Sequence, residues 1–276
     1  LSLSTNSMRS TEFPIDTVVT ETMIRFITFA FSLLFSLQSL AEASQVFKAV
    51  SPANRVALLE LYTSEGCSSC PPADRFMSRL KLEDISDEKL IPLSFHVTYW
   101  DYIGWKDRFS NPQHDARQRK QAKLNNSRMV YTPQFIMNGK DFRRHGSFDN
   151  EIVRINSIAA EYQLAVSASL NTNAIDVVLD TKTLIDSSDE VVAYIVLYEH
   201  GLSSEVTDGE NDGKHLRHDY VVRELKGPYL INQDQAMFKA AFMRSGYQVE
   251  NSGVVAFIQK PQSSEILQAV RLELMQ

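Results

Sequence analysis

Two cysteines occur in the 276-residue chain, and they stand three apart in Cys67-Ser-Ser-Cys70. Their surroundings, Thr63-Ser-Glu-Gly-Cys-Ser-Ser-Cys-Pro-Pro72, follow a nearly continuous apolar run, Val56 to Tyr62, and end in a proline pair suited to a first helical turn. A thiol at a helix start is drawn toward thiolate by unpaired amides and the helix dipole. A second thiol one turn on can resolve a mixed disulfide. This pattern points to thiol–disulfide exchange, with Cys67 as nucleophile and Cys70 as resolving thiol. Two other readings stay open: a structural disulfide, whose short loop would return only about 2 kcal/mol, and a metal site, for which thiolates favour soft ions.

Other residues could serve binding. The segment Tyr99-Trp-Asp-Tyr-Ile-Gly-Trp105 holds both tryptophans and follows a second apolar strand, Leu90 to Val97. Loops after parallel strands line sites, so Trp100 and its aromatic neighbours are expected either to bind a partner or to pack as core. His96, inside that strand, reads as a core histidine. Asp208-Gly-Glu-Asn-Asp-Gly213 partly matches a calcium loop, yet Lys214, His215, Arg217 and His218 follow directly, and a tight polar hairpin is the better reading.

The elements that must position these residues read as α/β. Strand, helix (to Leu82) and strand precede a polar, exposed helix from Gln113 to Leu124. A proline-headed strand, Tyr131 to Lys140, ends in an Asn-Gly hairpin with a return strand from Phe142 to His145. A helix capped by Ser147 runs to about Tyr162. From Gln163 the pattern alternates with period two, predicting strands at 164–170, 174–179, 191–198, 254–258 and 266–274 in a sandwich-like β region.

Upstream, Phe26 to Leu40 is a 15-residue apolar run preceded by Met23 and Arg25 and followed by Ala41-Glu42-Ala43. That is the layout of a secretory leader, with a start at Met23 and cleavage after Ala43. The expected organisation is therefore an extension plus leader over 1–43, a first domain over 44–162 and a β-rich domain over 163–276. Export would put the protein in the periplasm or outside the cell, where disulfides persist, with no membrane span left after cleavage. Twenty-eight basic residues against 34 acidic ones argue against nucleic acid as a partner.

The strand–CxxC–helix–strand opening and Thr132-Pro133 at the head of a strand resemble the thioredoxin fold. The resemblance is most specific in four blocks: Glu60 to Asp74, His96 to Asp107, Val130 to Gln134, and Gly209 to Gly213. These are similar to the exported thioredoxin-like family known as domain of unknown function 1223. The resemblance implies a thioredoxin-like domain followed by the β region, and a cis Pro133 beside the cysteines. It implies that Tyr131, Thr132 and Pro133 present backbone to a partner, a protein or small-molecule thiol or disulfide, with no cofactor beyond the cysteine pair. It also suggests a buried strand acid as proton relay, for which Glu60 is the candidate although it stands seven residues before Cys67. The Ser-Ser pair and the lack of a tryptophan before Cys67 depart from the common pattern. Similarity to thioredoxin-like copper chaperones keeps Cu(I) binding by Cys67, Cys70 and His96 or His145 as an alternative, beside a redox-inert binding module.

Overall fold

The computed structural model describes residues 45–83, 85–143, 145–185 and 189–274; the expected leader lies outside them. The strands are β1 (Val46–Val50), β2 (Ala57–Thr63), β3 (Leu90–His96), β4 (Gln134–Met137), β5 (Lys140–Asp141), β6 (Tyr162–Leu170) and β7 (Ala174–Thr183). They continue with β8 (Val191–Glu199), β9 (Leu202–Glu205), β10 (His215–His218), β11 (Val221–Ile231), β12 (Gln235–Met243), β13 (Ser252–Gln259) and β14 (Ile266–Glu273). The helices are α1 (Pro71–Leu82), α2 (Pro112–Leu124) and α3 (Phe148–Asn156).

A mixed eight-stranded sheet runs β14-β13-β8-β11-β3-β2-β4-β5. Its strands β2, β3, β8 and β13 are buried along their whole length, which explains their largely apolar sequences. β2 and β3 run parallel, and β4 lies antiparallel on the other side of β2. One face of β2–β4 is covered by α1 and α3, where Leu59, Leu61, Phe135 and Met137 meet Ala73, Met77, Leu80, Ile152 and Ile155. A second, four-stranded sheet, β1-β6-β7-β12, packs Leu164, Val166, Val177, Leu179 and Phe242 against Ala193, Ile195, Val254 and Ala256. This is a sandwich core with polar residues alternating outward along β6 and β7.

The change of pattern at residue 163 coincides with the start of β6, yet strands from both sides of it share sheets. β1 pairs with β6, and β11 joins β3 in parallel at Val221 and Ser94. Three strands have no counterpart in the sequence expectation: β1, β11 and β12. Two elements are shorter than expected. The hairpin return is Lys140–Asp141, ahead of the expected Phe142 to His145, and α3 stops at Asn156, with Ser147 making no side-chain cap. The Asn138-Gly139 turn is as anticipated, with φ of 44° and 81°. Gly139 admits no Cβ, because the Ser264 carbonyl would lie 1.8 Å from it.

The polar helix α2 is present, but it is not simply exposed. His114, Asp115, Arg117, Gln118 and Gln121 are buried. Every one of them has a polar partner, which is why no apolar stripe betrays the buried face. No helix among the described residues is long and apolar enough to cross a membrane.

Candidate functional site

β2 runs out into a tight turn in which the Cys67 amide donates to the Ser64 carbonyl at 3.1 Å. Cys67 and Cys70 form a disulfide, with Cα atoms 5.4 Å apart. Cys70 is the N-cap of α1, and Pro71 and Pro72 fill the first turn, where a missing amide hydrogen costs nothing. The Ser69 hydroxyl lies 3.3 Å from Cys67 Sγ. Ser68 and Ser69 are exposed, whereas the cysteines are only 1% and 0% exposed.

What covers them comes from three distant segments. Gly66 sits against Trp100, where an added Cβ would lie 3.2 Å from both Trp100 Cβ and the Trp100 carbonyl. The Trp100 indole donates to Thr132 Oγ1 at 2.7 Å. The Thr132–Pro133 bond is cis. Since Tyr62 pairs with Gln134, the antiparallel register carries Pro133 to a place across from Thr63, at the mouth of the cysteine turn. The Tyr131 carbonyl already accepts from Gln118 Nε2 at 2.9 Å, so helix α2 holds this strand entrance in place. Beside it, Met129, Tyr131, Pro133, Phe135 and Phe142 line an open, largely apolar hollow of about 390 Å³.

The third segment is the loop between β9 and β10, which form a hairpin as the sequence suggested. Its tip reaches back over the cysteine turn. Asn211 Nδ2 donates to the carbonyls of Glu65 (2.7 Å) and Cys67 (3.0 Å). The Ser68 amide donates to Glu210 Oε2 at 3.0 Å. Asp208 to Gly213 is thus a clamp rather than a calcium loop.

Beneath the turn lies a buried cluster of titratable groups that sequence reasoning did not assemble. Trp105 Nε1 donates to Glu65 Oε2 at 2.8 Å, and His218 Nε2 donates to Glu65 Oε1 at 3.1 Å. Burial would raise the Glu65 pKa, but its hydrogen bond with His218 brings it below the ordinary carboxylate value. His96 Nδ1 lies 2.6 Å from Asp107 Oδ2, which also accepts the Glu65 amide. Burial works against a charged His96, yet Asp107 outweighs it, raising the histidine, while His96 holds Asp107 below its usual value against burial. Asp74, one turn into α1 from Cys70, accepts from Thr63 Oγ1 at 2.9 Å; burial pushes its pKa up. Asp74 Oδ2 and His218 Nδ1 face each other at 4.0 Å, both buried and both without a hydrogen-bond partner.

The structure therefore brings Cys67, Cys70, Trp100, Thr132 and Pro133 together. It does not bring Glu60 to the cysteines. Along β2, Leu59 and Leu61 face α1, so Glu60 points to the opposite face, where Arg117 binds it through two nitrogens at 2.8 Å. Tyr62 and Gln121 complete its shell. Nor does His96 join the sulfurs as a ligand set: no group of three or more His, Cys, Asp or Glu side chains among the described residues is placed to hold a metal ion. The side chain of His145 lies outside the described residues. Glu65, Asp74, Asp107, His218 and Asn211 are the residues that sequence reasoning missed. The acids of the Glu60–Asp74 and His96–Asp107 blocks were the available signal, for apolar strand ends rarely carry unpaired carboxylates.

No curated protein sequence matches the chain. Among solved structures, it is similar to the protein AGR_C_4864 from Agrobacterium tumefaciens, with a TM-score of 0.58 and 21% identity over 80% of this chain and 96% of that one. It is also similar to HBP35 of Porphyromonas gingivalis, with a TM-score of 0.61 and 14% identity over 81% of this chain and 76% of that one. Both likenesses concern the fold. The sequence pattern described as "Protein of unknown function (DUF1223)" matches residues 58–259, and the chain belongs to that family.

Proposed function

We propose that this protein is a thiol–disulfide oxidoreductase, thioredoxin-like in its first half, acting on protein or small-molecule thiols and disulfides. The observation that carries this reading is the Cys67–Cys70 disulfide at the N-cap of α1, with the cis Thr132–Pro133 bond across from it. In the reduced protein, Cys67 thiolate attacks a partner disulfide, forming one S–S bond and releasing one partner thiolate. Cys70 then loses its proton and attacks Cys67 Sγ, which closes the internal disulfide and releases the second partner thiolate. The reverse sequence donates the disulfide to a partner dithiol.

The helix start and the Ser69 hydroxyl favour the Cys67 thiolate. Asp74 takes the place expected for Glu60 as acceptor of the Cys70 proton, being the buried carboxyl one helical turn from that thiol. Thr132 presents backbone to the partner, Tyr131 being engaged by Gln118, and Trp100 forms the adjoining wall. We place the protein outside the cytoplasm, in the periplasm or secreted, on the leader-like sequence before residue 44 and the persistence of a disulfide there.

The test is a Cys70→Ser variant, which would capture a partner as a mixed disulfide on Cys67, lost again in Cys67→Ser/Cys70→Ser. A wild-type pair that stays oxidised under strong reductant, with nothing captured by the variant, would overturn the reading.

A further inference from the structure

Helix α1 and strand β10 leave a groove between them of about 720 Å³, within the range of small-molecule sites. Pro71, at the helix start, lines one end; neither Cys67 nor Pro133 lines it. The groove is walled by guanidinium groups: Arg75 and Arg79 from α1, Arg217 from β10. Lys81, also in the wall, is already neutralised by Asp219 at 3.2 Å. Arg75, Arg79 and Arg217 have no carboxylate partner among the described residues; Arg217 meets only His215 Nε2, and Arg79 only the Phe76 ring.

Such a cluster is unusual here on two counts. The whole chain is acidic, with a formal net charge of −6, so free cations would be expected to find carboxylates. Arg75 and Arg79 also stand four apart on one helix face, where like charges oppose helix formation. A ligand anion relieves both, since guanidinium groups bind carboxylate and phosphate oxygens in a bidentate fork.

The second observation is the groove floor. His218 and Asp74 line it, 2% and 4% exposed, and their Nδ1 and Oδ2 atoms face each other at 4.0 Å, buried and without hydrogen-bond partners. Burial raises the pKa of Asp74. Leu82, exposed at the rim, and Leu216 add a short apolar wall.

We propose that this groove binds a small polyanion through carboxylate or phosphate oxygens, held by Arg75, Arg79 and Arg217 over the Asp74–His218 floor. The site shares Asp74 with the exchange chemistry proposed above, but anion binding is read with the disulfide intact, so either can fail without the other. The experiment is calorimetric titration of the full chain, disulfide intact, with tricarballylate in one arm and inorganic pyrophosphate in the other. Saturable binding is expected in at least one arm, weakened about tenfold or more in Arg75→Gln/Arg79→Gln. A charge-matched control, Lys48→Gln/Lys239→Gln on the exposed face of the four-stranded sheet, should bind as the wild type does. The arm that binds identifies the anion. Absence of saturable binding in both arms, or equal weakening in the control pair, would overturn the proposal. All four substituted side chains are exposed, so the folded state should survive the changes.

Discussion

The indole nitrogen of Trp100 donates to the Thr132 hydroxyl at 2.7 Å, tying the loop after β3 to the residue that precedes the cis proline. Because the Cβ and carbonyl of Trp100 also rest on Gly66, one residue links the cysteine turn to the strand facing it. A Trp100→Phe variant keeps a ring and removes the donor. We expect a loss of about 1 kcal/mol in stability and a larger, severalfold loss in disulfide exchange rate. Denaturant melts and a dithiol oxidation assay would separate the two. Equal, small losses in both would reduce Trp100 to packing.

Asn211 satisfies two buried carbonyls of the cysteine turn at once. Asn211→Ala should cost about 1–3 kcal/mol, since acceptors are left without donors. It should also speed reduction of the disulfide by a small thiol reagent, because the loop that covers Cys67 loses its anchor. Unchanged reduction kinetics would separate the clamp from access to the sulfur.

Asp74 carries a pKa raised by burial, so its folded state binds a proton more tightly than the unfolded chain does. Its contribution to stability is full below the ordinary carboxylate value and is lost as pH rises through the folded one. Asp74→Asn should therefore raise Tm at neutral pH while slowing the step in which Cys70 is deprotonated. A faster exchange rate in Asp74→Asn, or an unaltered pH–rate profile, would remove Asp74 from proton transfer.

The pair His96 and Asp107 works with the opposite signs. His96 is raised and Asp107 lowered, so the stabilisation spans the window between them: it fades as pH rises through the folded His96 value and as it falls through that of Asp107. Asp107→Asn should depress the His96 pKa, readable by NMR titration. It should also cost about 3–5 kcal/mol, as breaking a buried pair does.

Glu60 and Arg117 form a buried pair on the far face of β2. Arg117→Met leaves an uncompensated carboxylate and should destabilise by about 3–5 kcal/mol, whereas Arg117→Met/Glu60→Leu should recover most of that loss. Comparable Tm values for the single and double variants would contradict this account.

Much of the first half was legible because its strands are buried on both faces and its turns carry specific residues. The Val56–Tyr62 run, the proline pair after Cys70 and the Asn138-Gly139 turn each report a local requirement. The buried face of α2 was not legible, since its residues are satisfied by hydrogen bonds rather than by apolar contact. β11 was hidden by Gly227-Pro228 and by register shifts near Val222 and Lys226, which break its alternation. The clamp was beyond local reading altogether. Asn211 looks like one polar residue in a turn until the fold carries it to Cys67, and the Glu65–His218 contact likewise joins residues 153 apart.

That separation has a consequence in time. Cys67 is synthesised 144 residues ahead of the amide that covers it. At chain growth of about 5–20 residues per second, the two thiols spend some seconds uncovered. During that interval they meet whatever oxidant or thiol the compartment holds, before β9 and β10 can close over them. The redox state in which the site is sealed is thus set by the compartment in which the chain folds, and changing it afterwards is expected to require lifting the Asn211 loop.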